Sequence, residues 1–208
     1  MDEFAKEVAM LDKFRCDYVV HFYGASFVPS KVCMVTEFAE YGSVQDMFKN
    51  QRIPAERLRL KFMLDTAKGI EYLHTNGILH RDIKPDNVLV FSTDENAVVN
   101  AKLTDFGSAR NINALMTNMT FTKGIGTPLY MAPEVLDKEK YKKAADVYSF
   151  AVTMYAVYIW RSPYPVKLFK YPWEVATFVN TGNRLQCPED MPGDFYKIIE
   201  QCWCQVPK

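Results

Sequence analysis

Neither sign of charge is in excess in this chain: 25 basic residues balance 25 acidic ones. That balance excludes an overall field able to gather nucleic acid or an anionic membrane as the main partner. Cysteine is sparse and unpatterned. Cys16, Cys33, Cys187, Cys202 and Cys204 are odd in number. The last two lie too close together for half of a zinc site, and no His cluster accompanies them. Reduced thiols in a cytoplasmic-type compartment are the expectation. The longest apolar stretches, such as 150–157, contain Thr153 and Tyr155 and fall short of a membrane span. The start, Met1-Asp2-Glu3, lacks the basic and apolar regions of a signal peptide, although a longer parent could be membrane-anchored. There is no internal repeat and no low-complexity tract.

What is present is an ordinary globular composition, 49% apolar and 24% charged over 208 residues. That is enough for one domain, or for one large lobe plus part of a smaller one. Residues 1–14 read as an amphipathic helix, with Phe4, Val8 and Leu11 on one side. Two apolar runs, 18–23 and 32–38, flank Pro29-Ser30-Lys31 in a strand–turn–strand pattern. Ser43 is placed to N-cap a short helix through Phe48. Leu60, Met63, Leu64, Ala67, Ile70 and Leu73 recur at helical spacing over 56–74, and Asn76-Gly77 supplies the stop. Strands are expected at 88–91 and 98–103, and a long segment with few apolar anchors runs from 108 to 127. Residues 143–159, apolar nearly all round, predict a buried central helix. The order is a helix and two strands followed by a mostly helical body, an α+β arrangement.

The strongest chemical signal is His80-Arg81-Asp82-Ile83-Lys84-Pro85-Asp86-Asn87, between a capped helix and a strand. Phosphoryl transfer needs a carboxylate to orient and deprotonate the attacking hydroxyl, and cations to neutralise the transferred group. Asp82 can supply the carboxylate. Lys84, two residues on in an extended loop, can reach the phosphate, and Asn87 can offer an amide oxygen to magnesium. Asp105-Phe106-Gly107 follows 18 residues after Asn87, at the end of the second strand of a hairpin. A hairpin sets its ends side by side, so Asp105 would complete a hard-oxygen metal site. Gly107 frees the backbone to turn sharply.

With Ala132-Pro133-Glu134 downstream, these motifs in this order resemble the protein kinase family across the whole chain. The resemblance implies a protein-kinase-like fold: residues 1–38 as a partial N-lobe and 39–208 as the C-lobe. It also implies ATP and Mg2+ as cofactors and Ser/Thr residues of proteins as substrates. Asp82, Lys84, Asn87 and Thr127 would be catalytic, with Asn87 and Asp105 holding the metal. Glu7 would pair with the ATP-binding lysine, although Glu3 would serve equally on sequence alone. Thr36 would be the gatekeeper, with the backbones of Glu37 and Ala39 facing adenine and Leu89 beneath it, though a core leucine describes Leu89 equally well. Leu11, Phe22, His80 and Phe106 match a stacked hydrophobic spine, which makes His80 structural. Asp146, inside the apolar helix, would accept amides of the catalytic loop. His21 and His74 read as packing or surface residues. Arg81 would pair with a phosphate on the activation segment, at Thr117, Thr120 or Thr122, and Phe106 and Gly107 belong to the same switch. Lys84 after the aspartate, with Gly126-Thr127-Pro128, favours serine/threonine kinases over tyrosine kinases, in the tyrosine-kinase-like group.

Two departures stand out. No Gly-rich loop or lysine-bearing strand precedes the first helix, so the chain is expected to begin at the family's αC helix. Nor is there the downstream arginine that would pair with Glu134, which is therefore expected to lack that partner. The rival expectation is a truncated, catalytically inactive module that binds proteins.

Overall fold

The computed structural model describes residues 8–28, 31–50, 53–111, 128–137 and 141–206. Glu7, Thr117, Thr120, Thr122 and Thr127 lie outside them. Residues 8–11 are helical and residues 12–13 turn, so this helix stops short of Phe14. The turn aims Phe14 inward, edge-on to Tyr72 at 6.2 Å and to Phe106 at 5.0 Å.

The expected strand at 18–23 is a correction. Strand β1 is Phe22–Val28, paired antiparallel with β2, Lys31–Thr36. Residues 18–20 instead run beside a strand far along the chain. The Val20 amide donates to the Leu103 carbonyl at 2.8 Å, and the Leu103 amide to the Tyr18 carbonyl at 2.9 Å. Val19 and Val20 are buried there.

Helix α1, Val44–Lys49, starts at Ser43, whose hydroxyl accepts from the Asp46 amide while the Asp46 carboxylate accepts from the Ser43 amide. Helix α2, Glu56–Thr75, ends at Asn76, and Gly77 follows at φ 70°, the left-handed conformation that a helix stop requires. Strand β3, Ile78–Leu79, pairs with Arg110–Asn111 (β6). The hairpin of β4, Val88–Val90, and β5, Ala101–Leu103, is shorter than its apolar runs suggested. Asp65, fully buried on α2, accepts the Asn100 and Ala101 amides at 2.7 and 3.2 Å, and so pins the start of β5.

A short helix α3, Pro133–Leu136, precedes α4, Lys143–Ile159, which is buried along most of its length. An element apolar all round has no face to give to water, so α2 and α6 (Gly193–Cys202) pack on it, while α5 (Pro172–Asn180) packs on α3 and the turn at 128–130. It ends at Trp160, held at φ 54° with its ring 4.9 Å from Phe48. Among the described residues no helix is long and apolar enough to cross a membrane, and all five cysteines are free thiols.

Candidate active site

The segment between β3 and β4 is held open from below. Its backbone turns at Arg81, where φ is 72°. A left-handed conformation is unfavourable for a side chain this size and needs outside support. Asp146 of α4 gives that support: its carboxylate accepts the His80 amide at 2.9 Å and the Arg81 amide at 2.8 Å. It also accepts from the Tyr141 hydroxyl at 2.9 Å and bonds the His74 ring at 2.8 Å. Burial would raise this carboxyl. The His74 bond, the nearby His80 and the Arg81 amide outweigh it and hold Asp146 below the usual carboxylate range.

His74 is therefore not the packing or surface residue that the sequence suggested. It braces the residue that braces the loop. His80, fully buried, bonds the Thr104 carbonyl through Nε2 at 3.0 Å and accepts the Asp82 amide on Nδ1 at 3.3 Å, which suits the Nε2–H tautomer. Its ring lies 5.2 Å from that of Phe106. Leu11 and Phe106 are buried and Phe22 is half-buried, while Phe14, which the sequence did not single out, packs on Phe106.

Above this base three polar side chains converge. Lys84 Nζ stands 2.6 Å from Asp82 Oδ2. Asn87 Nδ2 donates to the Asp82 carbonyl at 2.7 Å and to Oδ2 at 3.2 Å. Asn87 sits in the turn Pro85–Asn87 and is buried, with its amide nitrogen spent on Asp82. Its amide oxygen is the atom left to face a cation. The Thr104 amide donates to the Asn87 carbonyl at 3.0 Å, which sets the end of β5 beside Asn87. Asp105 follows at φ 61°. The unusual backbone there splits two neighbours: Phe106 turns into the core while Asp105 stays exposed, accepting only the Gly107 amide at 3.3 Å among its described bonds.

The opposite wall is the β2–α1 connection. Thr36 ends β2 opposite Phe22. The Glu37 amide is taken by the His21 carbonyl at 3.0 Å, so its carbonyl is what it can offer a ligand. The Glu37 carboxylate accepts the His21 amide at 2.6 Å and Lys102 Nζ at 2.7 and 2.8 Å. Lys102 was missed in the sequence because its partner lies 65 positions away. The Ala39 carbonyl accepts the Gly42 amide at 3.2 Å, and the Gly42 carbonyl accepts the Val90 amide at 2.9 Å. Leu89, half-buried in β4 opposite Lys102, lies under this connection.

Arg81 is buried, its guanidinium 5.5 Å over the Tyr141 ring with Nε lacking a partner among the described residues. Burial lowers its pKa, and the charge of Arg110 lowers it further. Glu134, in the first turn of α3, is engaged in an interaction.

Comparison with known proteins agrees with this geometry. The model of the protein kinase domain matches residues 1–208. The chain is 37% identical over its full length to a putative serine/threonine-protein kinase/receptor, R818, of Acanthamoeba polyphaga mimivirus, and covers 12% of that protein. It is 36% identical over 99% of its length to the serine/threonine-protein kinase STY17 of Arabidopsis thaliana, covering 34% of it. It is 33% identical over its full length to the dual specificity protein kinase shkB of Dictyostelium discoideum, covering 31%. The chain thus spans between about an eighth and a third of the relatives it matches, and a protein-kinase-like α+β fold accounts for its architecture. By its motifs, their geometry and this full-length match, the chain belongs to the protein kinase domain family.

Proposed function

We propose that the chain carries the catalytic centre of an ATP-dependent protein serine/threonine kinase. The observation that carries this reading is the convergence of Lys84 and Asn87 on the Asp82 carboxylate, with Asp105 tethered alongside through the Thr104–Asn87 bond. The residues present fit a magnesium ion. The Asn87 amide oxygen and the exposed Asp105 carboxylate are hard oxygen donors, the class this ion selects. When bound, the ion neutralises charge on the phosphates.

In this reading Asp82 takes the proton of a substrate hydroxyl as its oxygen bonds to the γ-phosphorus. The bond from that phosphorus to the bridging oxygen breaks and ADP leaves. Lys84 lends its positive charge to the γ-phosphate oxygens, and Asn87 fixes the Asp82 carboxylate by donating to it. Lys84 and the serine/threonine names of the relatives favour aliphatic hydroxyls. Residues 1–38 would contribute to the smaller lobe and 39–208 form the larger, with the adenine against Ala39 and Leu89. The buried Arg81 guanidinium is suited to a phosphate on Thr117, Thr120 or Thr122, and the free thiols suit a reducing compartment. Intact Asp82, Lys84, Asn87 and Asp105 speak against a retired, protein-binding module.

Asp82→Asn in the full-length protein tests the reading. Turnover should fall by about two to four orders of magnitude while nucleotide affinity stays nearly unchanged. Asp105→Asn should instead weaken magnesium-dependent nucleotide binding. Undiminished phosphate transfer in Asp82→Asn would refute the assigned role.

A further inference from the structure

Lys102 and Glu37 form an ion pair that the catalytic steps leave unused. Lys102 Nζ stands 2.7 and 2.8 Å from the two Glu37 carboxylate oxygens, and the side chains are only 16% and 17% accessible. Solvent therefore screens the pair less than one on the open surface. The ammonium also sits 4.8 Å over the Phe91 ring. Lys102 is opposite Leu89 in the β4–β5 register, so the two side chains leave the hairpin on one face, the face beneath the β2–α1 connection. Ala101 and Leu103, which alternate with Lys102, are buried on the other face.

Glu37 is held on two sides. Its amide donates to the His21 carbonyl at 3.0 Å, and its carboxylate accepts the His21 amide at 2.6 Å besides Lys102. Among the described residues only its carbonyl is left without a bond. The strand that carries Lys102 also bonds residues 18–20 through the Leu103 backbone, and Asp105 follows two residues later. Strand β5 thus holds both the connection and a proposed metal donor.

We propose that Lys102 is a positioning residue for the nucleotide base, a role that rests on the reading of this cleft as an ATP site. By fixing Glu37, Lys102 aims the Glu37 carbonyl at a purine amino group and so favours adenine over guanine. Adenine carries the N6 amino donor where guanine carries the O6 acceptor. A fixed carbonyl accepts from the first, whereas against the second two acceptors face each other and both stay unbonded. A carbonyl free to swing aside discriminates less. Were the pair only a staple, it would hold the sheet to the hairpin and stabilise the chain with no bearing on the base.

Calorimetric titration of the full-length protein with MgATP and with MgGTP separates the two roles. The parent should prefer MgATP. Lys102→Met, which keeps an apolar stem and removes the charge, should weaken MgATP binding about tenfold and MgGTP binding less than about threefold. Lys102→Arg, whose guanidinium can still grip the carboxylate, should stay within about twofold of the parent. Glu37→Gln keeps an acceptor for the His21 amide but not the charge. It should behave as Lys102→Met does, and the double variant should lose no more than either alone. Should Lys102→Met fail to fold, Glu37→Gln carries the same comparison. Equal losses of the two nucleotides, or a lowered thermal midpoint with the ATP preference intact, would make the pair a staple and overturn the inference while leaving the kinase reading in place. Additive losses in the double variant would do the same. A parent that binds neither nucleotide would overturn both.

Discussion

Asp146 is fully buried and heavily hydrogen-bonded, and it touches no reacting atom. Four donors meet one carboxylate: two backbone amides, a ring nitrogen of His74 and a phenol. Removing it leaves buried groups with nothing to bond, and an unmade buried bond costs more than a made one gains. Asp146→Ala should therefore destabilise the chain by roughly 3–5 kcal/mol, read as a fall in the urea midpoint. Asp146→Asn, which keeps one acceptor oxygen, should cost less. His74→Ala should cost about 1–2 kcal/mol by the same measurement, with a partial return in His74→Gln if hydrogen bonding is what matters. A His74→Ala variant as stable as the parent would reduce that residue to filler. The role of Asp146 was legible through the family resemblance, but that of His74 was not: His74 and Asp146 are 72 positions apart, and nothing in local spacing reports such a distance. Asp82, Lys84 and Asn87 could be found because they stand within six residues of each other, and one short loop brings them together.

Secondary structure divides along the same line. The 56–75 helix, the Ser43 cap and the buried 143–159 helix were legible because periodicity and capping are local properties. The stretch 18–20 was misplaced as a hairpin strand because its partner, Leu103, is 83 to 85 positions away. The contact between α2 and that stretch depends on Gly69. A Cβ there would meet the Tyr18 carbonyl oxygen at 2.8 Å and Leu103 Cδ1 at 2.9 Å. Helix propensity alone favours alanine over glycine by about 1 kcal/mol. The clash is with backbone as well as side chain, and forcing extra volume into a packed site costs roughly 1–3 kcal/mol. Gly69→Ala is thus expected to destabilise on balance, lowering the thermal midpoint. A rise in that midpoint would show that α2 can move away freely.

Across the molecule, acid should be the damaging direction. Asp146 has a folded carboxyl value below its unfolded one, so its contribution is complete above the unfolded value of about 4. It is lost as pH falls through the depressed folded value. Asp46, lowered by its Ser43 hydrogen bonds, adds in the same sense, weakly because it is exposed to solvent. Urea midpoints measured downward from neutral pH should fall steeply below about 4 in the parent and less so in Asp146→Asn. The short β4–β5 hairpin has a wider consequence. Asn87 and Asp105 stand side by side at its open end, their backbones joined by three strand pairs and the Thr104–Asn87 bond. Both proposed metal donors therefore travel as one piece. The backbone positions from which these two side chains start are thus set when the hairpin forms, whatever the other walls of the cleft do.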